Sequence, residues 1–137
     1  MAEQWTRWEP TQGLSAKYYI DNISNDIKEF NILLSESKNE NIKILISFDH
    51  SVDAYRSTYE SFRQKTLAFL DEEYGTQFYS DWTFFKVSNS TYLKWLSEQS
   101  YGITNSISPT HFVIYAMNFV LDIAATYEPK VQLIEKE

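Results

Sequence analysis

Hydrophobic positions change their period along the chain. In the first third they recur at every second residue. Ile42, Ile44, Ile46 and Phe48 share one face of a strand over Ile42–Phe48, while Lys43 and Ser47 face the other way. Lys17–Ile23 and Glu29–Ser35 read as two more strands, parted by the turn residues Ser24, Asn25 and Asp26. The polar run Ser37–Asn41 supplies the next turn. Three strands joined by short turns predict an antiparallel meander.

After residue 50 the spacing turns helical. Ser57 with Glu60 three residues later forms a capping box, and Tyr59, Phe62, Thr66, Phe69 and Leu70 follow along one face. A helix is therefore predicted over 58–73, with Gly75 as the residue that stops it. Trp82–Val87 is aromatic and β-branched, a fourth strand. Ser88, Asn89 and Ser90 offer an N-cap to a second helix through Tyr92, Leu93, Trp95 and Leu96, closed by Gly102. Ile103–Pro109 reads as a loop, and 1–15, with Trp5, Trp8, Pro10 and Gly13, as an irregular arm.

The stretch His111–Tyr127 supports two readings. As a helix it would be apolar nearly all round. As a hairpin it gives strands at 111–116 and 119–127 with Met117 and Asn118 at the turn, and its Phe, Val, Ile and Tyr content favours this choice. Pro129 ends it, and Val131–Ile134 adds a short edge segment. The expected fold is one α+β domain over 1–137, ordered β-β-β-α-β-α-β-β, with two helices packed on one antiparallel sheet.

Composition then removes most chemistry. The chain of 137 residues has no Cys, which excludes disulfides, thiolate metal sites and thiol catalysis. Its three glycines stand apart at 13, 75 and 102, so no phosphate-cradling loop exists. No cofactor is implied. The N-terminal twenty residues lack the apolar core of a signal peptide, and Phe112–Ala125 is too short to span a bilayer. A cytoplasmic location is the expectation.

Net charge is -7 and uneven: residues 1–70 hold 8 basic and 10 acidic groups, residues 71–137 hold 4 and 9. Such a balance disfavours nucleic acid and anionic membranes and favours a basic protein partner. Asp71, Glu72 and Glu73 crowd the last turn of the first predicted helix, where the helix dipole disfavours anions. Asp81 lies just downstream. Tyr74 and Tyr79 supply aromatic anchors beside them. These six residues are the candidate partner-binding set. Twenty-three aromatic rings exceed what so small an interior needs, which leaves some for a surface.

A catalytic alternative rests on Asp49, His50 and Asp53, which together could ligate a metal or orient a base, with His111 as a further participant. A Ser–His–Asp triad is a further option, although no Gly-x-Ser-x-Gly elbow is present. A third reading is a structural subunit that homodimerises; the oligomeric state expected is monomer or homodimer.

Three segments carry a resemblance: VDAYRSTYESFRQKTL at 52–67, DWTFFKVSNSTYLKWLSEQSYGI at 81–103 and THFVIYAMNFVLDIAATYEPKV at 110–131. Together they resemble small acidic immunity-type proteins of Gram-positive bacteria, encoded beside wall-associated, contact-dependent toxins. The resemblance implies a non-enzymatic protein that neutralises a cognate toxin by tight binding, the toxin being basic and of nuclease type. It assigns no residue a role.

Overall fold

The computed structural model describes residues 2–135. Its strands are β1 (Gln4–Arg7), β2 (Tyr18–Asn25), β3 (Phe30–Glu36), β4 (Ile42–Phe48), β5 (Ala54–Tyr59), β6 (Phe84–Ser88), β7 (Thr110–Tyr115), β8 (Phe119–Ala125) and β9 (Lys130–Glu135). Its helices are α1 (Gln64–Tyr74), α2 (Gln77–Ser80), α3 (Thr91–Gln99) and α4 (Ile103–Ile107). The class is α+β with antiparallel strands throughout, as expected.

The strands form two sheets rather than one. One has the order β1-β6-β7-β8-β5, the other β2-β3-β4-β9. The meander of the first third holds: Phe30 lies opposite Phe48, Ile32 opposite Ile46 and Leu34 opposite Ile44, all fully buried. Asp26 makes the first turn by accepting hydrogen bonds from the Lys28 and Glu29 amides at 2.7 and 3.0 Å. The β2–β3 register slips between Ile20 and Asn22, so Asp21 bulges from the outer strand. The Asp21 carboxylate accepts from Ser35 and pairs with Lys43, both at 2.9 Å.

The two sheets face each other across the main core. Tyr18, Phe30 and Phe48 from one side meet Phe84 and Phe112 from the other, with the Phe48 and Phe112 rings edge to face at 5.7 Å. The opposite face of the five-stranded sheet carries a second core. There Phe85, Val87, Val113, Tyr115 and Val120 pack with Trp5 and with Leu70 of α1. Strands β7 and β8 are thus buried on both faces, which is why 111–127 is nearly uniform in hydrophobicity. The hairpin and its turn at Met117 and Asn118 are present as expected.

Several boundaries differ from expectation. Ser57 and Glu60 do not cap a helix: residues 54–59 form β5, and α1 starts at Gln64 with no side-chain cap. The ladder to β8 gives AYRSTY one partner per residue, from Ala54 opposite Ala124 to Tyr59 opposite Phe119, and that pairing overrides the helical spacing. The arm is not irregular throughout, since Gln4–Arg7 adds β1 to the sheet edge and buries Trp5. Residues 103–107 are a short helix, not a loop. The expected edge segment is β9, paired with β4.

Lys17 links the layers from inside. Its ammonium donates to the Trp82 and Tyr115 carbonyls and lies 5.0 Å from the Tyr115 ring centre. Burial pushes its pKa down to about 7, partly offset by the charge of Glu60. Between that value and the unfolded lysine value near 10.5, the unfolded chain binds the extra proton, so stability rises with pH through this window. Above about pH 10 Tyr115, which burial pushes up to about 12, reverses the trend. Urea unfolding from pH 7 to about 10 reads this rise in the native chain, and Lys17→Met flattens it. A native profile already flat there would contradict the assignment.

Candidate functional site

The polar centre of the molecule is Asp122, in the middle of β8 on the helix-covered face. It is fully buried. Strand register sets Arg56 of β5 directly opposite it. Its Oδ2 accepts from Arg56 Nε at 2.8 Å and from Arg63 Nη1 at 2.6 Å, and its Oδ1 bonds His111 Nε2 at 2.7 Å. Burial alone would raise the Asp122 pKa. The hydrogen bond from His111 and the charges of Arg63 and Arg56 outweigh it and hold the carboxyl well below the usual range.

The chain of contacts continues to Ser90, whose Oγ lies 2.7 Å from His111 Nδ1. With Asp122 accepting at Nε2, a neutral ring leaves Nδ1 to accept the Ser90 hydroxyl proton. The connectivity is Ser–His–Asp, but the serine is not placed for attack. Ser90 is 5% exposed, and its Oγ accepts the Leu93 amide at 3.0 Å as the N-cap of α3. The network joins β5, β7, β8, α3 and the residue preceding α1.

The six residues of the expected partner set fall into two groups. Asp71, Tyr74 and Tyr79 are engaged within the protein. Asp71 accepts from the Tyr79 hydroxyl at 2.6 Å and from Thr76 at 3.1 Å. The same hydrogen bond, with burial and the Asp71 charge, pushes the Tyr79 phenol up. Tyr74 accepts the Trp5 amide at 2.9 Å and stacks on Phe78 with centroids 4.3 Å apart. Glu72, Glu73 and Asp81 stand in solvent. Gly75, at φ +85°, ends α1 as expected, its amide returning to the Asp71 carbonyl.

The alternative loop is differently wired. Asp49 pairs with Lys130 at 3.2 Å, and the His50 backbone donates to and accepts from the Tyr127 hydroxyl. Burial raises the Asp53 pKa. Among the described residues, no three His, Asp or Glu side chains are grouped to hold a metal ion. His50 follows β4 of one sheet, while His111 lies on β7 of the other.

An exposed apolar cluster on α3 and α4 escaped the sequence reading. Trp95 is 53% exposed, Tyr101 100%, Ile103 58% and Ile107 41%. Leu96, Ile103, Ile107 and Pro109 line an adjoining cleft of about 230 Å³ with Asp53 and Ala54. Tyr101 sits at φ +54° and Ser108 at φ +48°, left-handed positions that bulky side chains avoid. The available signal was Ile103 and Ile107 four residues apart, between Gly102 and Pro109.

No protein-family model, curated protein or solved structure matches the chain.

Replacing Asp122 removes the acceptor for two guanidinium groups and the imidazole. Asp122→Asn is expected to destabilise the fold by about 3–5 kcal/mol, read by denaturant unfolding near neutral pH. The folded pKa is depressed, so the native advantage holds above the unfolded carboxylate value and shrinks as pH falls below about 4. A loss under about 1 kcal/mol would show that the network is not a structural tie.

Proposed function

We propose that the chain is a non-catalytic protein-binding domain of immunity type, which neutralises a cognate basic toxin by covering its surface. The carrying observation is Tyr101: a fully exposed ring on left-handed backbone, in the stretch joining α3 to α4 where Trp95, Ile103 and Ile107 are exposed as well. Backbone strain of this kind costs on the order of 1–3 kcal/mol and concentrates at binding and switch sites. Tryptophan and tyrosine are the side chains that most often dominate interface energetics.

The solvated carboxylates supply the second component. Glu72, Glu73 and Asp81, with a net charge of -7, attract a basic partner before contact and raise its association rate. Anchoring and steering are thereby divided between the α3–α4 cluster and the end of α1. The side chains of Asp71, Tyr74 and Tyr79 are tied into the α1–α2 junction by hydrogen bonds, with Asp71 and Tyr74 still exposed. The hydrolase alternative draws no support from its loop, where Asp49 is salt-bridged and the His50 backbone is held by Tyr127.

This function requires a toxin gene beside this one, and coexpression with that toxin tests it directly. The native chain is expected to restore growth and to form a complex with the toxin domain. Trp95→Ala with Tyr101→Ala should weaken that complex at least about a hundredfold, somewhat less than two fully additive hot-spot losses of about 2 kcal/mol each. Charge reversal at Glu72, Glu73 and Asp81 should slow association and flatten its salt dependence. Undiminished binding by the double variant, or self-association of the native chain through this cluster by light scattering, would overturn the proposal.

A further inference from the structure

We infer that the pocket above the Asp122 network is a binding site for a small oxyanion, the phosphate or carboxylate group of a small molecule, held by Arg56 and Arg63. The pocket, about 190 Å³, opens among Arg56, Thr58, Arg63, Thr66, Thr91 and Glu3. It is separate from the α3–α4 cluster, and its occupancy does not depend on the protein-binding role.

The two guanidinium groups are fixed from below and unfinished above. Arg56 donates through Nε to Asp122 and lies over the Tyr92 ring, 4.3 Å from its centre. Arg63 donates through Nη1 to Asp122 and through Nε to Thr66 Oγ1 at 3.0 Å. Among the described residues, both Nη groups of Arg56 and Nη2 of Arg63 have no hydrogen-bond partner. Thr66 accepts from Arg63, so its own hydroxyl proton remains available to a ligand. Two planar forks held rigid beside hydroxyl donors are what an oxyanion needs, because little side-chain entropy is left to lose.

The two guanidinium charges are matched by the buried Asp122 carboxylate and by Glu3 at the rim, so the site depends on directed, unfilled donors rather than on excess positive charge. Glu3 marks the far rim. Its Oε2 accepts from the Thr91 amide and hydroxyl, both at 2.8 Å, at the start of α3. That wall therefore already holds one carboxylate of the chain itself. Glu3 forms no ion pair with either arginine, so their outward donors stay unfilled, while its charge opposes any anion that enters. Removing that charge should tighten binding.

The test is titration of the folded protein with inorganic phosphate and, in a second arm, acetate, at constant ionic strength set with chloride. The readout is the side-chain Nε–H resonances of Arg56 and Arg63. Saturating shifts of both are expected in at least one arm, and the arm with the lower Kd identifies phosphate or carboxylate as the natural group. Arg56→Gln should weaken binding roughly tenfold, the worth of one charge-assisted contact. Arg56→Lys, which keeps the charge but not the fork, should weaken it less and replaces the Gln variant if that fails to fold. Glu3→Gln should strengthen binding several-fold. Linear shifts in both arms, identical curves for native and Arg56 variants, or a Glu3→Gln change in the opposite direction would each overturn the site.

Discussion

A carboxylate buried at the centre of a sheet is tolerable only if its surroundings supply cations and donors in fixed places. Asp122 imposes that condition on most of the molecule. Arg56 must stand opposite it, which fixes the register of β5. Slipping β5 by one residue would turn Arg56 to the other face and leave the charge without one of its partners. Arg63 must arrive from the turn before α1, and His111 must present Nε2 from β7. Ser90 closes the sequence by serving both the imidazole and the first turn of α3. Replacing the whole network by apolar side chains of similar volume is the near-neutral change, whereas removing any one member strands the others, so the ionic arrangement acts as a unit that ties the elements together.

How much of this could be read from the chain depended on how many faces each strand buries. Strand β4 has one face in the core, and its alternation of Ile44, Ile46 and Phe48 with Lys43 and Ser47 is plain. Strands β7 and β8 lie between two cores, so alternation disappears and only residue type distinguishes them from a helix. Within that run Asp122 is the one charged residue of Phe112–Ala125, with no neighbouring charge in sequence to mark it as the centre of a network. Its partners lie 11 to 66 positions away, at spacings that depend on register and on no local pattern. Strand β1 was hidden because three of its four residues are exposed and only Trp5 is buried. The Ser57–Glu60 spacing satisfied a real local rule, yet cross-strand pairing with β8 outweighed it.

The candidate surface was legible as composition but not as arrangement. The acids at 71–73 are where the chain suggested, at the end of α1, and all three are exposed, Asp71 while bonded to Tyr79 and Thr76. Tyr74 and Tyr79 nearby are tied by local bonds, while the more exposed rings lie elsewhere, at Tyr59 and Phe62 before α1 and at Trp95 and Tyr101 on α3 and the segment after it. Helix α3 thus has two dissimilar ends. Its first turn adjoins the arginine pocket and the Glu3 carboxylate, and its last turn leads into Tyr101 and the apolar cleft.

The strand pairings also determine when the protein can assemble. Gln4–Arg7 waits for Phe84–Ser88, and Ile42–Phe48 has its second neighbour only in Lys130–Glu135. Each sheet therefore takes strands from both early and late parts of the chain. During synthesis the β2–β3–β4 meander emerges first, with one apolar face and no sheet to cover it. Long-range pairing of this kind slows folding and prolongs the exposure of unpaired strand edges. The outward bulge at Asp21 sits on the edge strand of that early meander, where an irregular ladder and a charge discourage pairing with a second nascent chain.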